Sequence, residues 1–424
     1  MGKKADLTSI PTLVESPFII VDIGGYTFGS YAAKGSLSTF TIQYPNYVKN
    51  LRITKINGSV NIYSFNLDYQ VAYGQDPNLI DKILGTVAST RRITFHYGDW
   101  NAPGYIYKDE QAIITKVTSN LDMQNSIIHY TLECTGDAYT LYSTSYNFPS
   151  RFAKPSDVLR QLLASSRYGL KNVFKGMQNQ VQVIDKGWIA SNDKPVNLEA
   201  KRGISIFQYI IYLVESMTTS VTNRVSTYML SIHDDYDNEY GGTYFRVTEV
   251  SDYSPNFIST DTYEVDINYP DNNLVTQFTV NNDQSWAILY DYSDDISQEE
   301  YVYRITDEGV MTTERSPSMV RSKVRDSTSP MRQAWWNKMT QFPITAELTI
   351  KGLTRPTLLM TYVKVNVWFH GGNKHISSGL YIITKQVDTV DESGYKTVLS
   401  LLRVGGDPQL TASGGGGKMT LQTR

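Results

Sequence analysis

Cysteine is nearly absent from this chain. The single thiol, Cys134 among 424 residues, excludes an intramolecular disulfide framework and fits synthesis in a reducing cytoplasm. It falls in an alternating, strand-like segment, which favours a structural role over a nucleophilic one. An excess of one charge sign is also missing. The formal net charge is −3, so no general basic field draws nucleic acid to the surface, although a local patch remains compatible with that balance. Long apolar runs are missing too. The longest with helical character, Ile204–Val214, is about half of the ~20 residues that span a bilayer. Met1-Gly2-Lys3-Lys4 leads into a polar Ala5–Ser9 segment instead of the apolar stretch of a secretory leader. The expectation is a chain that is soluble or part of a soluble assembly.

Catalytic signatures are scarce as well. There is no Walker motif and no Gly-x-Ser-x-Gly elbow. Gly24-Gly25 and Gly241-Gly242 lie between strand-like runs, not ahead of phosphate-binding helices. Of five histidines, only His370 and His375 are close, and no cysteine or carboxylate nearby completes a metal set. Asp234–Glu239 is the densest acidic cluster. It invites a Ca²⁺ reading, but the EF-hand spacing is absent and a solvated hairpin turn fits better. Asp294-Asp295 and Glu299-Glu300 could serve glycoside hydrolysis only at a separation that sequence does not give. No catalytic, cofactor-binding or metal-binding residue is therefore assigned.

What the chain does have is tyrosine, 31 residues of it, within an aromatic content of 12%. Aromatics favour strands and interfaces. It also has a repeat. Residues 113–122 read IITKVTSNLD and residues 382–391 read IITKQVDTVD. Each runs through a second strand to Gly-Asp, at Gly136-Asp137 and Gly406-Asp407. The offset is 269 residues at Ile113 and Ile382 and 270 at Asp137 and Asp407. Upstream, Phe95-His96-Tyr97-Gly98 pairs by sequence with Phe369-His370-Gly371-Gly372. Such duplication builds symmetric surfaces.

The element pattern follows the repeat. Val48–Ile56 and Val60–Val71 alternate apolar and polar residues around the turn signal Asn57-Gly58, with Tyr63, Phe65, Leu67, Tyr69 and Val71 on one face. A helix is predicted from Asp76-Pro77, with the stripe Leu79, Ile80, Ile83, Leu84 and Val87. Strands at Arg92–Tyr97 and Ile127–Cys134 flank the first copy of the motif. Pro155–Ala164 and Ile204–Met217 read as helices, and Tyr228–Ile232 with Thr243–Val250 as a hairpin. From Val265 the strand pattern returns. Val275–Val280 and Trp286–Tyr290 flank a turn-like Asn281-Asn282-Asp283. A second helix is predicted from Ser329-Pro330 through Lys338, parallel to Asp76-Pro77. Strands follow at Thr345–Ile350, Leu358–Phe369, Leu380–Val387 and Thr397–Val404.

These units resemble the baseplate hub proteins of tailed bacteriophages. The likeness is carried by Leu51–Val71 with Asn57-Gly58, by Tyr73–Leu79, by Arg92–Trp100 and by Ser378–Arg403. It implies a mainly β fold with an α+β insertion. Residues 1–145 and 265–409 would each be a tail-tube-like β-barrel domain with one helix, with 291–328 as an insertion in the second. Residues 146–264 would be the middle α+β domain. Residues 410–424 would be a Gly-rich tail, either a disordered end or a tether ordered by a partner. The same fold is shared by the spike base of type VI secretion systems and by tail-associated proteins of long tails.

The resemblance also implies a homotrimer whose six similar domains form a pseudo-hexameric ring between a six-fold tail tube and a three-fold central spike. Implied partners are tail tube, central spike, distal tail or baseplate and tape measure proteins, and passing DNA without sequence specificity. The expected location is the virion tail baseplate, assembled in the bacterial cytoplasm. Trp335 and Trp336 have no aromatic counterparts on the first helix and are the candidate partner-interface residues. Two other readings compete. One is a tail-associated peptidoglycan hydrolase, and the other is a receptor- or carbohydrate-binding tail protein.

Overall fold

The structure is a computed structural model. It describes residues 5–6, 16–30, 36–37, 40–86, 92–99, 106–142, 145–164, 193–217, 219–221, 224–233, 244–250, 262–267, 275–282, 288–291, 301–305, 311–315, 344–351, 359–369 and 372–406. The described chain is mainly β. Strands of three or more residues and the helices are numbered below in chain order.

The first part contains β1 (Pro17–Ile23), β2 (Tyr26–Gly29), β3 (Val48–Ile56), β4 (Ile62–Gln70), α1 (Leu79–Thr86), β5 (Arg92–Asp99), β6 (Ile106–Asp122) and β7 (Ile127–Thr135). The alternation in β4 sends Tyr63, Phe65, Leu67 and Tyr69 inward, all at most 1% exposed. Each such side chain contributes about 1.5–3 kcal/mol of burial. They join Val21, Ile53, Phe95 and Leu132 in one core. α1 begins two residues after Pro77, where the Asp76 carboxylate accepts from the Asn78 N–H at 2.9 Å. Its Ile80 and Ile83 close that core.

The middle part contains β8 (Ser145–Phe148), β9 (Arg151–Ala153), α2 (Pro155–Ala164), β10 (Val196–Leu198), β11 (Lys201–Ser205), α3 (Ile206–Glu215), β12 (Thr219–Val221), β13 (Arg224–His233) and β14 (Tyr244–Val250). α3 starts later than the Ile204 expected from its apolar run. Ser205 is its N-cap and forms a reciprocal capping box with Gln208, which leaves Ile204 in β11. Along β13, Tyr228, Leu230 and Ile232 face the middle core, while Met229 faces the opposite way onto Leu380 and Ile382.

The last part contains β15 (Thr262–Ile267), β16 (Val275–Asn282), β17 (Ile288–Asp291), β18 (Tyr301–Ile305), β19 (Met311–Arg315), β20 (Ile344–Lys351), β21 (Tyr362–Phe369), β22 (Gly379–Asp391) and β23 (Gly394–Gly406). Among the described residues no ladder joins the two strands of the hairpin expected around Asn281–Asp283. β16 pairs with β20, and β17 pairs instead with β18. Local turn signals lose here to a long-range ladder, because Phe278 and Val280 pack on the Leu348 and Ile350 core. The helix expected at Ser329–Lys338 lies outside the described residues.

Strand order reveals the repeat. The first part of the sheet runs β3-β4-β7-β6-β5-β1, and the last part runs β16-β20-β23-β22-β21-β15. The sequence order of these strands is also the same. Four ladders correspond, all antiparallel: β3–β4 with β16–β20, β4–β7 with β20–β23, β7–β6 with β23–β22, and β6–β5 with β22–β21. The outermost pair differs, since β1 is antiparallel to β5 and β15 is parallel to β21. Among the described residues the sheet branches at β22, which pairs with β21, β23 and β3, and closes into no barrel.

The repeated IITK segment has a structural meaning. In both hairpins it carries a β-bulge. The register skips Thr115 between Ile114 and Lys116, and Thr384 between Ile383 and Lys385. In both, the skipped threonine hydroxyl donates across the hairpin to a carbonyl, Glu133 O at 3.0 Å and Ser400 O at 3.3 Å. The Phe-His pairing is not part of the repeat. With Ile113 and Ile382 equivalent, Arg92 matches Tyr362, so Phe95 stands where Val365 does. Phe369 lies four residues further on and is 55% exposed, whereas Phe95 is buried. The two helix starts fail the same test. α1 connects β4 to β5, whereas Ser329-Pro330 lies between β16 and β20, the counterparts of β3 and β4.

Candidate functional site

A groove of about 570 Å³ beside β22 and β23 is lined by Arg52, Lys351, Lys385 and Lys396 against Glu347 and Asp391. That lining is charged and unlike the mostly apolar wall of a small-molecule pocket. Among the described residues no group of three His, Cys, Asp or Glu is placed to hold a metal ion. His375 pairs with the Ser377 hydroxyl at 2.7 Å, while His370 and the Asp234–Glu239 cluster lie outside the described residues. Trp335 and Trp336 also lie outside them.

The chemistry-bearing cluster is instead where the two repeats join. β22 is long enough to do two things. Its first half pairs with β21, and its second half, Lys385–Val390, pairs antiparallel with Leu51–Ile56 of β3. This one ladder makes the two halves a single sheet. The hairpin tip carries Val390 and Tyr395 into the first core, where Tyr395 meets Tyr97 edge-on at 6.0 Å.

Two buried polar groups meet there. In the first, Glu110 takes Lys55 Nζ at 2.7 Å and the hydroxyls of Tyr97 at 2.6 Å and Tyr63 at 2.8 Å. Lys55 and Glu110 are both 0% exposed. In the second, Asp388 accepts from the Thr397 hydroxyl at 2.5 Å, the Gln386 amide at 2.7 Å and the Tyr395 hydroxyl at 3.3 Å. Burial, reinforced by Glu110 and Asp388, drives the Tyr97 phenol well above its ordinary pKa. Tyr395 is shifted the same way by burial, Asp388 and Glu110. Both stay protonated donors across the physiological range. A buried ion pair of this kind fixes geometry more than it adds stability, since desolvation offsets most of the attraction.

None of these residues was singled out by motif. The signal was nonetheless in the pattern. Lys55 continues the inward face set by Leu51 and Ile53, and Glu110 that of Ala112 and Ile114. Opposite charges on the inward faces of two strands predict a buried pair.

No family model and no curated protein matches this chain. Solved structures share its fold. The 43 kDa tail protein of prophage MuSo2 from Shewanella oneidensis has a TM-score of 0.51 at 12% identity, covering 92% of this chain and 99% of that one. One chain of the lidded PdpA–VgrG complex of Francisella has a TM-score of 0.50 at 11% identity, covering 92% of this chain and 53% of that one. The fold is that of this prophage tail protein and of that chain of the PdpA–VgrG complex, in agreement with the hub-like resemblance of the motifs.

Proposed function

We propose that this protein is a structural hub of a bacteriophage tail tip or baseplate. The observation that carries the reading is the doubled sheet, whose copies share strand order and are joined head to tail through β3 and β22. Residues 1–145 and 265–409 act as two tail-tube-like units, with 146–264 between them and 410–424 as a tail. Three chains supply six such units, a pseudo-hexameric ring that joins a six-fold tail tube to a three-fold spike. Its channel passes DNA without sequence-specific contact. Its partners are tube, spike, distal-tail and tape measure proteins, and it acts in the virion baseplate after assembly in the host cytoplasm.

A head-to-tail ladder supports this reading because a heterologous contact of this kind, repeated between chains, builds a ring when its rotation closes. The role is non-enzymatic. Trp335 and Trp336 face a neighbour specific to the second unit. Gold-labelled antibody against the chain is expected at the tail end distal to the capsid in electron micrographs of particles. Label along the tube shaft or on the capsid would refute the assignment. Clearing of peptidoglycan in a zymogram would favour the hydrolase instead.

A further inference from the structure

Each repeat has a donor edge and an acceptor edge, and among the described residues only one of each is used within the chain. In the second repeat the donor edge is Lys385–Val390 of β22, seated on the acceptor edge β3 of the first. The equivalent donor edge of the first repeat is Lys116–Leu121 of β6. β5 stops pairing with β6 at Ile113, so beyond that point β6 is held only by β7 among the described residues. The acceptor counterpart of β3 is β16. Ile53 lies opposite Tyr63, and Val280 opposite Ala346, at matching positions of the sheet. Among the described residues β16 pairs only with β20.

Burial tells the same story. Gln386, Asp388 and Val390 are at most 1% exposed at the junction inside the chain. Their counterparts Val117, Ser119 and Leu121 are all exposed, Val117 by 40% and Leu121 by 58%. Open edges of this kind are templates for pairing with another chain.

The chemistry of the two junctions is matched. Inside the chain a polar plug (Gln386, Asp388, Tyr395) meets a polar seat (Tyr63, Tyr97, Glu110). At the free edges the plug positions hold Val117, Ser119 and Ile128. The seat positions hold Ala346, Val367 and Gly379. The free edges thus match in being mostly apolar, whereas Glu110 and Asp388 at the inner junction are each satisfied within their own repeat.

We infer that β6 of one copy pairs antiparallel with β16 of a second copy, repeating the β3–β22 ladder. The register places Ser119 opposite Val280 and Leu121 opposite Phe278. This rests on the ring reading above and specifies the surface that builds the ring. The partner is a second copy because the mating edge is found, by equivalence, only on this chain's other repeat.

The test is a pair of cysteines in the full-length protein. Directly opposed residues on antiparallel strands have Cα atoms about 4.5–5.5 Å apart, within disulfide range. Mild oxidation of the Ser119→Cys/Val280→Cys variant is expected to give covalent oligomers ending at a closed trimer on a non-reducing gel. The Asn120→Cys/Val280→Cys variant, with side chains on opposite faces, is expected to give none. Native mass of the unmodified chain separates the failures. A trimer by mass in which Ser119→Cys/Val280→Cys does not cross-link, or cross-links no better than the displaced pair, overturns the edge assignment alone. A monomer by mass with no cross-link overturns the ring reading as well.

Discussion

Lys55 and Glu110 show how far one residue's effect reaches. Both ends of the pair are buried, so removing Lys55 takes the ammonium from a buried Glu110 that keeps only the Tyr63 and Tyr97 hydroxyls among its named partners. Lys55→Met is expected to destabilise the fold by about 3–5 kcal/mol in urea unfolding. Lys55→Met/Glu110→Leu should recover most of that, because the pair's net worth is small. A double variant as unstable as the single would show that the pair stabilises outright. His96 gives a second prediction. Burial lowers its pKa from the ordinary 6.5 to about 4. Between those values the unfolded chain takes a proton that the folded one refuses, so stability is lost as pH falls from about 6.5 toward 4. The loss is roughly 3 kcal/mol at the acid end. His96→Asn should remove this part of the slope, and an unchanged profile would mean that His96 does not carry it.

At the scale of elements, the bulge in each IITK segment decides which face a strand end shows. Deleting Thr384 would turn Asp388 and Gln386 out of the interior, since one residue of slip exchanges the two faces. A loss above about 4 kcal/mol, or failure to fold, is expected. Deleting Thr115 turns over an exposed strand end, so near-normal thermal stability with lost self-association is expected from melting and sedimentation. If both deletions melt alike, the two hairpins do not differ as described. Ser205→Ala removes the cap of α3 and should cost about 1 kcal/mol.

Much at this scale was legible. The period-two runs located β3, β4, β7 and β20 to β23, because one side of each is buried. The β16–β17 hairpin was misread because turn residues signal only neighbours, whereas β16 finds its partner about 70 residues on. The Phe-His similarity misled because register is set by ladders, which a tetrapeptide does not show.

At the scale of the whole molecule, the chain is a sheet written twice and joined to itself. The duplication was readable from Ile113 and Ile382, but the junction was not. Asp388 is far in sequence from Lys55 and Glu110 and comes beside their strands only because β22 is long enough to serve both halves. The repeats differ most where they join. Glu110 faces Gly379 across the equivalence, and Tyr63 faces Ala346. That divergence gives the inner junction side chains that the equivalent positions of the other edges lack. The fold alone is shared with the MuSo2 tail protein and a chain of the PdpA–VgrG complex, at 12% and 11% identity.

The most direct measurement is native mass together with class averages of the purified full-length protein. The account predicts a trimer that appears as a ring with three-fold symmetry and six similar lobes. A stable monomer, or a closed two-fold dimer with no ring, would contradict it.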